Sequence, residues 1–262
     1  MDRLLQQIMK KASLGGAFFY VLLQSVSASA ACLQPDTGQL TRYAVEYVHD
    51  GDTVRTWSGE KVRLIGFNTT EVAREERPAE PLSDEATQRL RQLLGATPEI
   101  QLLPAAESRD RYGRLLAYGF TATGEDIAAT LIGEGLAYPL IVPPNLWNSD
   151  CYLQQAAAAE QAGLGIWSHP ALQVRPLSQI GRGGFQRIRG EVRGVDRSRK
   201  WLWIDLTDQV SLQIAKRDLS HFEPVIDLQQ LKGRWITAQG WLVPRKRGYR
   251  MRLRHPSAIK LE

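Results

Sequence analysis

The sequence predicts a mainly β protein with helices, of the α+β class, built as two units. Short segments that alternate apolar and polar residues recur between Gly, Pro and Asp turn signals, a pattern typical of antiparallel strands. Segments with helical spacing lie among and after the first five strand segments, and a stretch rich in proline and glycine then precedes a second set of strands. The 43% hydrophobic and 23% charged content is ordinary for a globular protein and argues against disorder.

Charge divides the chain at the same place. Residues 31–170 hold 11 basic and 19 acidic residues, a net charge of −8, whereas residues 171–262 hold 19 basic and 8 acidic residues, a net charge of +11. An acidic and a basic unit imply different tasks, and the basic one suits a polyanion. We therefore predict a signal segment at 1–30, a first unit at 31–168, a linker at 169–184 and a basic unit at 185–262.

Residues 1–30 are typical of a cleaved secretory signal peptide. Arg3, Lys10 and Lys11 precede an apolar run at residues 12–23 and the small-residue triplet at 28–30. The apolar run is shorter than the roughly 20 residues of a membrane span, so we expect no stable span after cleavage. The expected location is periplasmic or secreted. Lipidation of Cys32 is less favoured, because residues 29–31 lack the leucine usual before a lipidated cysteine.

Cys32 and Cys151 are the only two cysteines. Both would remain after cleavage, in a compartment where disulfides persist, so a bridge between them is one expectation. Two unpaired thiols are the alternative, because sequence alone does not show proximity. Two cysteines and four histidines form no zinc pattern.

The first unit is predicted to contain five strands and three helices. The strands are expected at residues 43–48, 53–57, 62–67, 100–103 and 115–120. One helix should begin with Ser83 as its N-cap and end near Gly95, and the others should span 126–133 and 149–162. Residues 71–81, charged and broken by proline, predict a surface loop, and three prolines within 139–144 predict an extended loop.

The second unit is predicted to be a small OB-like β-barrel. Its strands are expected at residues 187–195, 200–206, 210–215, 235–243 and 249–254, with a helix at 219–231 after the third strand. Five strands with a helix after the third is the order of an OB-fold.

Two groups of polar residues in the first unit could form binding sites, one for a cation and one for a phosphate. Asp50 and Asp52 flank a glycine at a turn, where their oxygens could bind a hard cation such as calcium, although an Asp-Gly hairpin turn is the simpler explanation. Arg63 lies within an apolar run and Arg114 opens another strand. Two arginines suit a phosphodiester, and ion pairs with neighbouring carboxylates are the alternative.

Together these residues resemble the staphylococcal nuclease (thermonuclease) family. The resemblance covers about residues 41–168 and rests on five ordered blocks. The blocks are Asp50-Gly51-Asp52-Thr53, Arg63-Leu64-Ile65-Gly66 with Thr69-Thr70-Glu71, Arg111-Tyr112-Gly113-Arg114-Leu115-Leu116-Ala117-Tyr118, Glu134-Gly135-Leu136-Ala137, and Gly165-Ile166-Trp167-Ser168. The resemblance implies a five-stranded OB-like barrel with three helices.

The resemblance also implies roles for individual residues. Calcium would be held by Asp52, Asn68 and the carbonyl of Thr69. Asp50 would lie next to these ligands without binding the ion directly. Glu71 would be the general base, and Arg63 and Arg114 would bind the phosphate. Tyr112 and Arg111 would contact the substrate.

Three departures from the family pattern bear on this assignment. Asn68 stands where the family archetype has an aspartate, which removes one negative charge from the calcium site and should lower its affinity. Thr70 replaces a proline before the glutamate. Ile141 and Pro143 replace nucleotide-stacking tyrosines, so substrate preference could differ.

The expected function is a calcium-dependent nuclease acting on DNA, RNA or both, which breaks the bond to the 5′ oxygen and leaves 3′-phosphate ends. The rival is a nucleic-acid-binding or envelope protein that keeps the fold with little or no turnover. A monomer is favoured.

The basic unit adds a candidate nucleic-acid platform. Its residues are Arg199, Lys200, Trp203, Arg245, Lys246 and Arg247. Basic side chains interleaved with aromatic ones suit single-stranded nucleic acid. The alternatives are that alternate aromatics such as Trp201 and Trp203 face the core, or that the charge serves an anionic membrane or polysaccharide.

Overall fold

The computed structural model describes residues 32–75 and 77–262, so the predicted signal segment lies outside the described residues. The elements of the first unit are β1 (Thr41–Asp50), β2 (Thr53–Thr56), β3 (Lys61–Leu64), β4 (Gly66–Asn68), α1 (Ser83–Leu94), β5 (Glu99–Arg109), β6 (Leu115–Phe120), α2 (Ile127–Gly133), β7 (Tyr138–Leu140) and α3 (Ser149–Gln161). Short 3₁₀ turns lie at Thr37–Gln39, Gly165–Trp167, Pro170–Leu172 and Leu177–Gln179.

The first unit is a closed five-stranded barrel with three helices, as predicted. Its strands pair in the order β1-β2-β3-β6-β5, and only the β3–β6 pairing is parallel. Apolar side chains such as Val54, Val62 and Ile100 are fully buried inside. The helices cover this core through residues that include Leu90 of α1 and Tyr152 of α3. Burial of such faces is the main stabilising contribution to a fold of this kind.

The predicted single strand at 62–67 is wrong, because the chain breaks between β3 and β4. Gly66 has a φ of +93°, a conformation that a side chain disfavours, and the chain turns there. The following residues, β4, pair with β7 in a separate two-stranded sheet. Arg63 and Phe67 therefore do not share one strand face. Pro139 lies in β7, where a continuous loop was expected.

The start of α1 also differs from the prediction. The cap position is Leu82, with a φ of 65° and no side-chain cap hydrogen bond, and Ser83 is already helical. The Ser83 N–H donates to the Glu80 carbonyl, so the turn that precedes the helix closes one residue early.

The elements of the second unit are β8 (Arg175–Pro176), β9 (Gly184–Glu191), β10 (Gly194–Arg197), β11 (Trp201–Asp205), β12 (Val210–Ala215), α4 (Leu219–Phe222), β13 (Trp235–Arg245), β14 (Gly248–Leu253) and β15 (Ile259–Leu261). Further 3₁₀ turns lie at Lys216–Asp218, Leu228–Gln230 and Pro256–Ala258.

The second unit is a curled sheet with OB-like strand order. Its strands pair in the order β10-β11-β12-β14-β13-β9-β8, with β15 beside β13. The strand predicted at 187–195 is two strands, β9 and β10, which lie at opposite sides of this path. Because they are consecutive in the chain, the sheet curls around a single core that includes Ile188, Leu212 and Met251. The β12–β14 pairing is parallel, as β3–β6 is in the first unit.

Two further predictions for this half of the chain need correction. The helix expected at 219–231 is only one turn, α4, because Pro224 cannot continue it, and a 3₁₀ turn follows at Leu228–Gln230. Residues 169–184, predicted as a linker, contain β8, which pairs with β9. Leu177 and Ile180 in the same stretch pack against the second core.

Within the part of the chain that the structure describes, no helix has the length and apolar character needed to cross a membrane.

Candidate active site

Asp50 and Asp52 lie at the turn between β1 and β2, and both are buried. The backbone N–H of Asp52 donates to Asp50 Oδ1 over 3.2 Å. Asp52 Oδ2 accepts hydrogen bonds from the backbone N–H and the hydroxyl of Thr69, at 3.2 and 3.3 Å. Burial raises the pKa of Asp52 to about 7, against the opposing effect of Arg63.

Arg63 points from β3 into the same group of oxygens. Its Nη2 lies 2.9 Å from Asp52 Oδ2, and it donates to Asn68 Oδ1 and to the Phe67 carbonyl, each over 3.1 Å. Three oxygens thus surround one cationic nitrogen in a largely buried setting. Asn68 in turn donates through its amide nitrogen to the Thr69 carbonyl over 2.8 Å.

These oxygens fit a hard cation in chemical type. Asp52, Asn68 and the Thr69 carbonyl offer only oxygen donors, which calcium prefers. Asp52 is buried and its pKa is raised even beside Arg63, so a further positive charge would stabilise its ionised carboxylate. No group of three or more His, Cys, Asp or Glu side chains that could hold a metal occurs among the described residues, so a cation would depend on the amide and carbonyl oxygens. Arg63 would then have to release Asp52 and Asn68.

Glu71 follows this group and is partly exposed. Its Oε2 lies 3.3 Å from Arg74 Nη2, and the same nitrogen lies 2.9 Å from Asp50 Oδ2. The Glu71 N–H donates to Glu80 Oε2 over 3.1 Å, which brings Glu80 back beside Glu71. Burial raises the pKa of Glu71, and the nearby carboxylates of Asp50 and Glu80 add to the effect of burial.

Arg114 stands at the start of β6, and Asp110 holds it in place. The Arg114 Nε donates to Asp110 Oδ2 over 2.7 Å, and its backbone N–H donates to Oδ1 over 3.0 Å. Burial alone would raise the pKa of Asp110, but the hydrogen bonds from Arg114 and Tyr112 hold it below its usual value. Arg63 and Arg114 line one cavity of about 170 Å³, together with Ile65, Gly66, Phe67, Glu107, Asp110, Leu116, Leu140, Val142 and Asn145.

Tyr112 and Arg111 are exposed beside this cavity. The Arg111 guanidinium carbon lies 4.7 Å above the Tyr112 ring, and that of Arg114 lies 5.8 Å from the same ring. Tyr112 is 69% exposed, so its ring is open to a ligand. Of the residues that replace the family tyrosines, Ile141 is buried in the core, and the Pro143 carbonyl accepts a hydrogen bond from Arg254.

Sequence reasoning missed the partners of these side chains. Arg74 bridges Asp50 and Glu71, Glu80 binds the Glu71 backbone, and Asp110 positions Arg114. A local signal existed for two of them, since Glu71 and Arg74 are three residues apart and Asp110 and Arg114 are four apart.

Comparison with known proteins identifies the family of this chain. The sequence model of the family described as staphylococcal nuclease homologue matches residues 61–169. The thermonuclease of Staphylococcus intermedius is 33% identical over 128 residues, which are 48% of this chain and 75% of that protein. This chain belongs to the staphylococcal nuclease family.

Two further relatives in the staphylococcal nuclease comparison are endonucleases of Bacillus subtilis (strain 168). The SPbeta prophage-derived endonuclease YokF and the endonuclease YncB are each 30% identical over 135 residues, or 50% of this chain. The chain covers 45% of the first and 63% of the second, so it spans about half to two thirds of their length. The residues matched by the family model include Arg63, Glu71 and Arg114, and the basic unit lies beyond them.

The remaining predicted residues lie away from this pocket. Cys32 and Cys151 are joined by a disulfide that ties residue 32 to α3, with Cα atoms 5.2 Å apart. Arg199 and Lys200 lie in the turn before β11, and Arg245, Lys246 and Arg247 lie at the turn between β13 and β14. Trp203 projects from β11 on the side opposite to the core residues Leu202 and Ile204.

Proposed function

We propose that this chain is a calcium-dependent nuclease that hydrolyses phosphodiester bonds of DNA, RNA or both. The observation that carries the proposal is the shared cavity of Arg63 and Arg114, with Asp52 in contact with Arg63. Two guanidinium groups can bind the oxygens of one phosphate and stabilise the charge that develops on them. Membership of the staphylococcal nuclease family supports the reaction class.

In the proposed hydrolysis each side chain of the site has a separate role. Arg63 and Arg114 bind and orient the phosphate, and Arg114 also assists the departing 5′ oxygen. Glu71 accepts the proton of the attacking water, and a raised pKa brings its basicity closer to that needed at neutral pH. Calcium, when bound by Asp52, Asn68 and Thr69, would polarise the phosphate. The products would carry 3′-phosphate ends.

We also propose a periplasmic or secreted location. The disulfide between Cys32 and Cys151 supports it, because structural disulfides persist mainly in oxidising compartments.

Digestion of DNA and RNA by the purified protein, in calcium and in excess chelator, tests the proposal. We expect both polymers to be cut in calcium, with 3′-phosphate ends, and neither in chelator. Cleavage that is equal in chelator would refute the calcium requirement, and the absence of cleavage in calcium would refute the nuclease.

The second candidate function is nucleic-acid binding without turnover. It is favoured by one observation: Arg63 Nη2 already pairs with Asp52 and donates to the Asn68 side-chain oxygen, and these contacts compete with a phosphate for the same guanidinium. Such a protein would retain DNA with strong salt dependence and leave it intact over hours in calcium.

A further inference from the structure

The outer face of β11, β12 and β14 carries two tryptophan–arginine stacks. Leu202 and Ile204 of β11 fill the core, so Trp201 and Trp203 project outward. The alternative that these two tryptophans face the core is therefore wrong. The Arg250 guanidinium carbon lies 4.5 Å above the Trp203 ring, and that of Arg252 lies 5.1 Å above the Trp201 ring. We call this surface the Trp–Arg face; its residues are Trp201, Trp203, Arg250 and Arg252.

Basic turns lie at both ends of the Trp–Arg face. Strand β11 runs antiparallel to β12, and β14 runs parallel to β12, so β11 and β14 begin at opposite ends of the sheet. The turn before β11 carries Arg199 and Lys200, and the turn before β14 carries Arg245, Lys246 and Arg247. All five side chains are exposed. Two carboxylates adjoin the face on its β10 side: Asp196 of β10 is the cross-strand partner of Trp203, and Asp205 follows Trp203 by two residues in β11.

Arg254, next to the Trp–Arg face, contacts the loop at the rim of the Arg63–Arg114 cavity. Arg254 directly follows β14, and its Nη2 donates to the Pro143 carbonyl over 2.7 Å. Val142 next to Pro143 lines the cavity that holds Arg63 and Arg114. Asp218 is buried and pairs with both Arg252 and Arg254, so it fixes the end of the face against that rim.

We propose that the Trp–Arg face binds single-stranded nucleic acid and leads the strand to the Arg63–Arg114 cavity. The delivery of the strand to that cavity rests on the proposed function. Bases of a single strand can stack on indole rings and on guanidinium planes. The bases of a duplex cannot, because they are already paired and stacked on each other. The two basic turns meet the phosphates at either end. The strongly basic charge of the unit favours a polyanion, and the aromatic rings favour one that has bases.

Fluorescence anisotropy of a labelled 20-mer of thymidylate, measured on the full protein in chelator, tests the proposal without any cleavage. We expect Trp203→Ala to weaken binding by about 5-fold or more, and Trp203→Phe, which keeps a stacking ring, to restore most of it. Circular dichroism checks the fold of each variant. We expect the exposed-turn variant Arg199→Ala/Lys200→Ala to lower the slope of log affinity against log salt by about 1.4.

The matched control is Lys232→Ala/Lys260→Ala, which removes the same charge from the β13–β15 side of the unit. It should leave the salt slope nearly unchanged. Equal affinity of the wild type and Trp203→Ala, or an equal loss of slope in the control, would overturn the proposal. So would binding of a 20-base-pair duplex, or of vesicles rich in anionic lipid, as tight as that of the single strand. Because no step is catalytic, failure of the nuclease proposal would leave these results intact.

Discussion

At the scale of single residues, the most consequential position is Asn68. Its amide oxygen accepts from Arg63, and its amide nitrogen donates to the Thr69 carbonyl, so it links the arginine proposed to bind phosphate to the candidate calcium ligands. Sequence motifs could predict which residues form this site, because each block carries its own residue types. They could not predict that Arg63 contacts Asp52 and Asn68, or that Arg74 joins Asp50 to Glu71, because those contacts depend on how the chain folds back.

We expect Asn68→Asp to raise calcium affinity, because a carboxylate adds negative charge to the oxygen group and also attracts calcium more strongly than an amide does. Isothermal titration with calcium, without substrate, measures the effect, and a tightening of about 10-fold is expected. Asn145→Asp is the matched control: it adds the same charge to the cavity wall but not among the proposed ligands. Equal affinities in the wild type and Asn68→Asp would argue against calcium binding at this position.

At the scale of elements, the break after β3 shapes the site. It lets β4 pair with β7 and turns Asn68 back toward Arg63. The apolar run at residues 62–67 resembles one continuous strand, so hydrophobic pattern alone could not reveal the break. Gly66 was the available signal: it has a positive φ, and a Cβ there would overlap the Tyr152 ring of α3.

Gly66→Ala should therefore lower the free energy of unfolding by about 2 kcal/mol or more, because it combines backbone strain with a clash in the core. Gly59→Ala is the control, since Gly59 has a similar φ of +89° but no atom within 4 Å of the added Cβ. Urea denaturation of both variants separates the two effects. Equal losses of stability would show that contact with Tyr152 contributes nothing.

At the scale of the whole molecule, a closed barrel and a curled sheet of similar strand order lie in one chain. The order of strand segments predicted an OB-like second unit, and the resemblance to the staphylococcal nuclease family predicted an OB-like first unit. The charge counts divide the sequence into an acidic and a basic stretch. The linker prediction failed because Pro and Gly in residues 169–184 suggested an unpaired segment, whereas β8 pairs with β9 across a distance that local sequence does not report. Contacts such as Arg254 with Pro143, which join the units, are likewise invisible in sequence.

The proposed function requires Glu71 and Arg114 for phosphodiester hydrolysis. Its most direct test is the rate at which wild type, Glu71→Gln and Arg114→Ala cut one end-labelled oligonucleotide in saturating calcium. The control is Arg42→Ala, which breaks only an exposed ion pair with Glu99. We predict losses of about 100-fold or more in kcat for each of the two site variants and no more than a small change in the control. Wild-type rates in both Glu71→Gln and Arg114→Ala would contradict the account.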